Sequence, residues 1–173
     1  MGGVTIREAT FADVEDILRI AEQGWNEAYS GILSQETIDT AMTERYGADN
    51  TREIVEREDA EHFVAERNGE IIGYVSGRPS NKKNVANLGA IYVDPNHWGK
   101  GTGTALLETF EDYCRREDYA RIRFRVLSEN DVGTSFYRKH GYNVIDEQET
   151  KPFDELVREC IYSGPISDNT DCT

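Results

Sequence analysis

The chain has 173 residues and carries Asp+Glu 33 against Lys+Arg 19, a net charge of −14. That length allows one domain with a real core, and that charge repels nucleic acid and anionic lipid, so neither is an expected partner. No run approaches the roughly 18 apolar residues of a membrane span, and no basic-then-apolar leader opens the sequence, so a soluble cytoplasmic protein is expected.

Residues 4–9 alternate as a first strand, and Thr10 stands as an N-cap for a helix beginning near Phe11, with Asp13 in its first turn. Val14, Ile17, Leu18 and Ala21 recur at helical spacing toward Trp25 and Tyr29. Gly31 breaks this helix, and Ser34 can cap a second one carrying Ile38, Ala41 and Met42. Residues 51–58 read as a further short, charged helical piece. Residues 62–67 and 70–76 are β-rich runs joined by Asn68-Gly69, a strong hairpin signal because type I′ turns need φ > 0 twice. Residues 86–93 form a third strand of the same antiparallel meander. A helix over residues 103–116 puts Leu106, Leu107, Phe110 and Tyr113 on one face. Ile122, Phe124 and Val126 alternate along a strand at 121–127. Residues 131–140 form a short helix closed by Gly141 as its C′ glycine, and 142–149 with 156–163 form a last hairpin. The order is that of an α/β (α+β) domain over residues 1–163, followed by a polar tail at 164–173. Cys114, Cys160 and Cys172 lie far apart without a CxxC pair, which argues against a disulfide framework or metal site and fits a reducing compartment. The carboxylate surplus fits either an ordinary acidic protein or one adapted to molar salt, where the Debye length is about 3 Å at 1 M. Salt adaptation predicts a Tm that rises from low to molar KCl, and a constant Tm excludes it.

The most informative stretch is 91–107. A β-branched and aromatic run ends at Asp94-Pro95, a loop carries Gly99, Gly101 and Gly103, and an apolar-periodic helix follows at once. Strand, glycine loop and helix N-terminus together suit a pyrophosphate, because glycines let the backbone approach and the first helical N–H groups point at the anion. Spacing excludes two common versions. Walker A needs Gly-Lys followed by Ser or Thr, whereas Gly101 follows Lys100. A Rossmann fingerprint needs GxGxxG and an acidic residue about 20 positions on, where this chain has Arg121.

With those versions excluded, the sequence resembles the GNAT superfamily, the GCN5-related N-acetyltransferases. Their signature is Arg or Gln, two residues, Gly, one residue, then Gly or Ala. Trp98-Gly99-Lys100-Gly101-Thr102-Gly103 fits it, except that Trp98 replaces Arg or Gln. A second motif, Asn followed seven residues on by Tyr and then a Gly-aromatic pair, is met by Asn130, Tyr137 and Gly141-Tyr142. The resemblance covers nearly the whole chain. It implies a mixed, mostly antiparallel sheet of six to seven strands flanked by about four helices, with a V-shaped splay between the central parallel strands.

The resemblance also implies the chemistry: an acetyl-CoA-dependent N-acetyltransferase acting on a primary amine of a small molecule or peptide, without a metal. A homodimer is left open. Ile91, Tyr92 and Val93 would bond the pantetheine amides through their main chain, like an added strand. Trp98, Gly99, Lys100, Gly101, Thr102, Gly103 and Thr104 would hold the pyrophosphate, with Lys100 adding local positive charge. Arg138 and Lys139 either help with the 3′-phosphate or are solvated helix charges. Asn130 either contacts CoA or caps the helix after it, since both roles use the same oxygen. A backbone N–H of the 91–93 strand would stabilise the oxyanion. Tyr137 occupies the family's proton-donor position; periodicity alone reads it as a core tyrosine. The general base has no clear bearer: relatives place a glutamate where this chain has Asn87 or Arg125, leaving Glu129, Tyr92, His97 or a water chain. Trp25 and Tyr29 share one helix face bordering the acceptor site, as its wall or as plain packing. Two rival readings remain, a non-catalytic acyl-CoA-binding module and a protein N-terminal or lysine acetyltransferase.

Overall fold

The computed structural model describes residues 3–44, 61–80, 82–151 and 155–166. The expected helical piece at 51–58, Cys172 and the tail beyond 166 lie outside them. Seven strands run β1 (Thr5–Glu8), β2 (Glu61–Arg67), β3 (Glu70–Pro79), β4 (Val85–Val93), β5 (Arg121–Leu127), β6 (Asn143–Thr150) and β7 (Val157–Pro165). The helices among the described residues are α1 (Val14–Tyr29), α2 (Gln35–Glu44), α3 (Thr102–Arg116) and α4 (Asp131–Lys139). β7 reaches Pro165, and Gly164 pairs with Ile122, so the sheet extends into the stretch expected to be tail.

The strands lie in the order β1-β2-β3-β4-β5-β7-β6. Every neighbouring pair is antiparallel except β4 and β5. That parallel pair is joined only at Val85↔Arg121, Ala86↔Ile122 and Asn87↔Arg123. Beyond Asn87 the two strands part, β4 continuing to Val93 on β3 and β5 to Leu127 on β7. This is the expected V. The split starts where β4 carries one extra residue: Ser76 pairs with Ala90 and Gly77 with Leu88, so Gly89 is the bulge that turns the strand away.

Side-chain alternation explains the layers. Phe63, Ala65, Ile72 and Val75 meet Leu106, Leu107, Phe110 and Cys114 of α3 on one face. Val64, Ile71 and Tyr74 meet Ile17 and Ile20 of α1 on the other. The α1 stripe runs through Ile20, which is fully buried, while Leu18 is only half-buried. The hairpin at Asn68 (φ 52) and Gly69 (φ 80) has the two positive φ angles of the type I′ turn that the sequence signals. Gly141 (φ 90) closes α4 as a Schellman cap, with Tyr142 N donating to Tyr137 O and Gly141 N to Arg138 O.

Thr10 caps a turn beginning at Phe11 as expected, with Asp13 completing a capping box, but that turn is not yet α-helix. Phe11–Asp13 is a 3-10 turn and α1 starts at Val14. Asp13 reaches back to accept from Thr10 N at 2.8 Å and Thr10 Oγ1 at 3.2 Å. Arg7 grips the same carboxylate through Nη1 and Nη2 at 2.8 and 2.9 Å. The Arg7 bonds hold the Asp13 carboxyl below its ordinary value of 3.8, against the opposing effect of burial. A depressed native pKa stabilises above the unfolded value and is lost as pH falls through the native one. Asp13→Asn is therefore expected to be less stable than wild type at neutral pH, with the difference shrinking as pH drops below 3.8; chemical denaturation at pH 7 and pH 3 measures it.

Cys114 and Cys160 are buried free thiols. No described helix is long and apolar enough to cross a membrane.

Candidate active site

The loop after β4 is built by capping. Asp94 is buried, accepts from Asn96 N at 3.0 Å and lies 3.8 Å from Arg19 of α1. Pro95–His97 form a 3-10 turn, and Trp98 resumes extended backbone. Gly99 (φ 79) and Gly101 (φ 83) then adopt left-handed conformations that glycine enters without cost. Gly101 is the N-cap of α3, and Ala105 N donates to Gly101 O to close the first turn. The main-chain N–H groups of Gly99, Lys100, Gly101, Thr102, Gly103 and Thr104 meet no acceptor among the described residues. Lys100 is exposed beside them, and the Thr102 side chain is buried under the loop. A row of unanswered donors at the positive end of a helix is the local chemistry of an anion site.

Trp98 stands where the family signature has Arg or Gln, and its side chain turns back to the strand. Its indole Nε1 donates to Val93 O at 2.8 Å, tying the loop to the end of β4. Asn130 caps α4, with Oδ1 accepting from Gly133 N at 3.1 Å. A Cβ on Gly133 would lie 2.8 Å from Asn130 Nδ2, so a larger residue there would push the capping side chain aside.

Four aromatic residues converge on the V from both faces. Trp25 and Tyr29 meet edge to face, centroids 4.9 Å apart. Trp25 Nε1 donates to the Tyr92 hydroxyl at 2.5 Å. Gly24 makes this approach feasible, since a Cβ there would lie 2.6 Å from the Tyr92 ring. From the opposite face Tyr137 packs on Phe124 at 4.1 Å between centroids. Burial pushes its phenol well above the ordinary value of 10.0, and the Tyr29 hydroxyl adds in the same direction. Tyr137 therefore stays protonated through the neutral range.

Of the candidates for a base, Tyr92 alone is among the aromatics at the V. Arg125 is exposed and pairs with Glu159 at 2.8 Å. Glu129 is exposed, and Asn87 lies in the paired foot of the V. His97 Nδ1 is buried without a partner among the described residues. The Tyr92 hydroxyl is engaged by Trp25.

One feature escaped the sequence. Glu155, before β7, accepts from Ser34 N at 3.0 Å and Thr37 Oγ1 at 2.8 Å, capping α2 together with Ser34 Oγ. These bonds lower the Glu155 carboxyl below its ordinary value. No local pattern could reveal a cap that reaches across about 120 residues of chain.

A sheet opened between its parallel strands, with a donor-rich glycine loop at the head of the following helix, defines an acyl-CoA-dependent acyltransferase. Residues 21–142 match the model of the Acetyltransferase (GNAT) family, and the chain belongs to that family. It is an acetyl-CoA-dependent N-acetyltransferase. Over 147 residues it is 29% identical to the spermidine N(1)-acetyltransferase of Thermoplasma acidophilum, covering 83% of this chain and 90% of that one. The fold superposes on the PaiA N-acetyltransferase of Thermoplasma acidophilum in complex with coenzyme A, with TM-score 0.78 and 26% identity over 91% and 98% of the two chains. It also matches a ribosomal-protein-alanine N-acetyltransferase from Brucella melitensis, with TM-score 0.72 and 22% identity over 93% and 99%.

Proposed function

We propose that the chain acetylates a primary amine of a polyamine or similarly cationic small molecule in the cytoplasm. The observation that carries this is the wall of Trp25, Tyr29 and Tyr92 facing Tyr137 across the V. Aromatic faces attract an ammonium by about 0.5–1 kcal/mol when exposed and ~2 or more when desolvated. A net charge of −14 draws cations toward the protein. The similarity to a spermidine acetyltransferase supports the same class of acceptor.

The residues divide the work as follows. The N–H groups of Gly99 to Thr104 and the Lys100 ammonium bind the pyrophosphate of the donor. Main-chain groups of Ile91, Tyr92 and Val93, on the β4 edge that β5 leaves unpaired, bond the pantetheine arm. A β4 N–H beyond the Gly89 bulge stabilises the developing oxyanion. Tyr137 gives its proton to the departing thiolate. Trp25 and Tyr29 position the amine, whose own proton leaves through water. Asn130 holds the start of α4, and Arg138 and Lys139 in its last turn are the cations offered to the donor's 3′-phosphate.

The test is thiol release from acetyl-CoA against a panel of spermidine, spermine, putrescine, aminoglycosides, lysine-tailed peptides and peptides with an alanine N-terminus. Release with polyamines at the lowest KM is expected. Trp25→Leu is expected to raise that KM about tenfold, through loss of the ring and of the Tyr92 bond, leaving the KM for acetyl-CoA in place. Turnover confined to peptides would assign the acceptor to proteins. CoA binding without release from any amine would make the chain a binding module.

A further inference from the structure

α3 and α4 meet beside the glycine loop. Gly103, in the first turn of α3, faces the Phe136 ring, whose nearest atoms lie 3.4 and 3.5 Å from where a Cβ would stand. One turn further along α4, His140 packs beside Phe136 with centroids 4.7 Å apart. Its Nε2 lies 3.1 Å from Thr104 Oγ1. The Schellman cap fixes the imidazole there, since His140 N donates to Tyr137 O and Gly141 ends the helix one residue on.

A helical threonine usually spends its one hydroxyl proton on the carbonyl four residues back. Thr109 on the same helix does so, donating to Ala105 O at 2.8 Å. Thr104 instead meets an imidazole nitrogen. When Nε2 carries the imidazole proton, His140 donates into a Thr104 lone pair, and the threonine's own proton is free to point at the loop. The main-chain N–H of the same residue already faces that loop without an acceptor. Trp98, the other polar side chain in the motif with a donor near the strand end, spends its N–H on Val93 O.

We infer that His140 is a positioning residue for the donor: it sets the Thr104 hydroxyl as an additional hydrogen-bond donor to a phosphate oxygen of the pyrophosphate. The pair supplies a side-chain donor where Trp98 supplies none. This rests on acetyl-CoA being the donor bound at the loop.

Titration calorimetry with CoA, and kinetics with acetyl-CoA and with S-acetylpantetheine, which has no phosphate, test it. Thr104→Val and His140→Leu are each expected to weaken CoA about tenfold, as for one hydrogen bond to a charged group. The double variant is expected to be no weaker than either single one, because both break the same relay. Thr104→Ser and His140→Gln, which keep a hydroxyl and an N–H, are expected to restore most of the affinity. The KM for S-acetylpantetheine is expected not to move. Wild-type affinity in Thr104→Val, additive losses in the double variant, or an equal loss with S-acetylpantetheine would each overturn the inference; the first stands even where His140→Leu fails to fold. A wild-type chain that binds no CoA would instead overturn the donor reading beneath it.

Discussion

Replacing Tyr137 by Phe is expected to lower kcat by about 10²-fold or more while leaving CoA affinity and Tm close to wild type. The substitution removes one oxygen and keeps a ring that packs against Phe124, Phe136, Tyr142 and Tyr162. The effect therefore reads the hydroxyl alone. Desolvation raises this phenol's pKa above its ordinary 10.0, so the wild-type residue holds its proton through the neutral range. A kcat that falls between pH 7 and 9 would therefore have to come from another group. Steady-state kinetics over that range with the best acceptor make the measurement. Unchanged turnover in Tyr137→Phe would take the residue out of the chemistry.

The largest structural effect is expected at Gly77, in β3 opposite the foot of the V. A Cβ there would overlap the Phe110 ring and stand 2.8 Å from Asn87 O. Phe110 is fully buried at the centre of the α3 face, and Asn87 is the last β4 residue paired with β5. Neither neighbour can yield easily, the first because the core is close-packed, the second because it is backbone. Gly77→Ala should cost about 1–3 kcal/mol as an overpacked core, or a Tm lower by roughly 2–4 °C per kcal/mol. Gly3→Ala, with nothing within 4 Å of the added carbon, serves as the control. A Tm for Gly77→Ala equal to the control would show that α3 shifts away without penalty.

Much of this was legible in the sequence because the signals are local. Asn68-Gly69 named its turn by requiring two positive φ angles, Gly141 named the end of α4, and the alternation of Ile122, Phe124 and Val126 named a face of β5. The glycine loop at the head of α3 was legible for the same reason, since strand, glycines and helix adjoin in the chain. What the sequence left open depends on distant partners. It could list Asn130 as a cap or a ligand, and the cap becomes visible only with the position of Gly133 N. It could not foresee that the Trp98 indole turns back to Val93, that Thr104 meets His140, or that Glu155 caps α2. Each needs the relative placement of two elements, which tertiary packing fixes and local propensity does not. The absence of a carboxylate at positions 87 and 125 was plain from the start, and of the expected substitutes only Tyr92 lies at the V, its hydroxyl engaged by Trp25.

The short seam between β4 and β5 has a thermodynamic corollary. A sheet that parts along its middle leaves β4 main-chain groups to be answered by whatever lies in the opening, and those groups are arranged only in the folded chain. A molecule that pairs with them binds the native state and not the unfolded one. Every such molecule must then add to the folding free energy by mass action, about 2.7 kcal/mol at a hundred times its Kd. With the donor bridging the halves β1–β4 and β5–β7 as proposed, the melting temperature is expected to rise with the acetyl-CoA concentration of the sample.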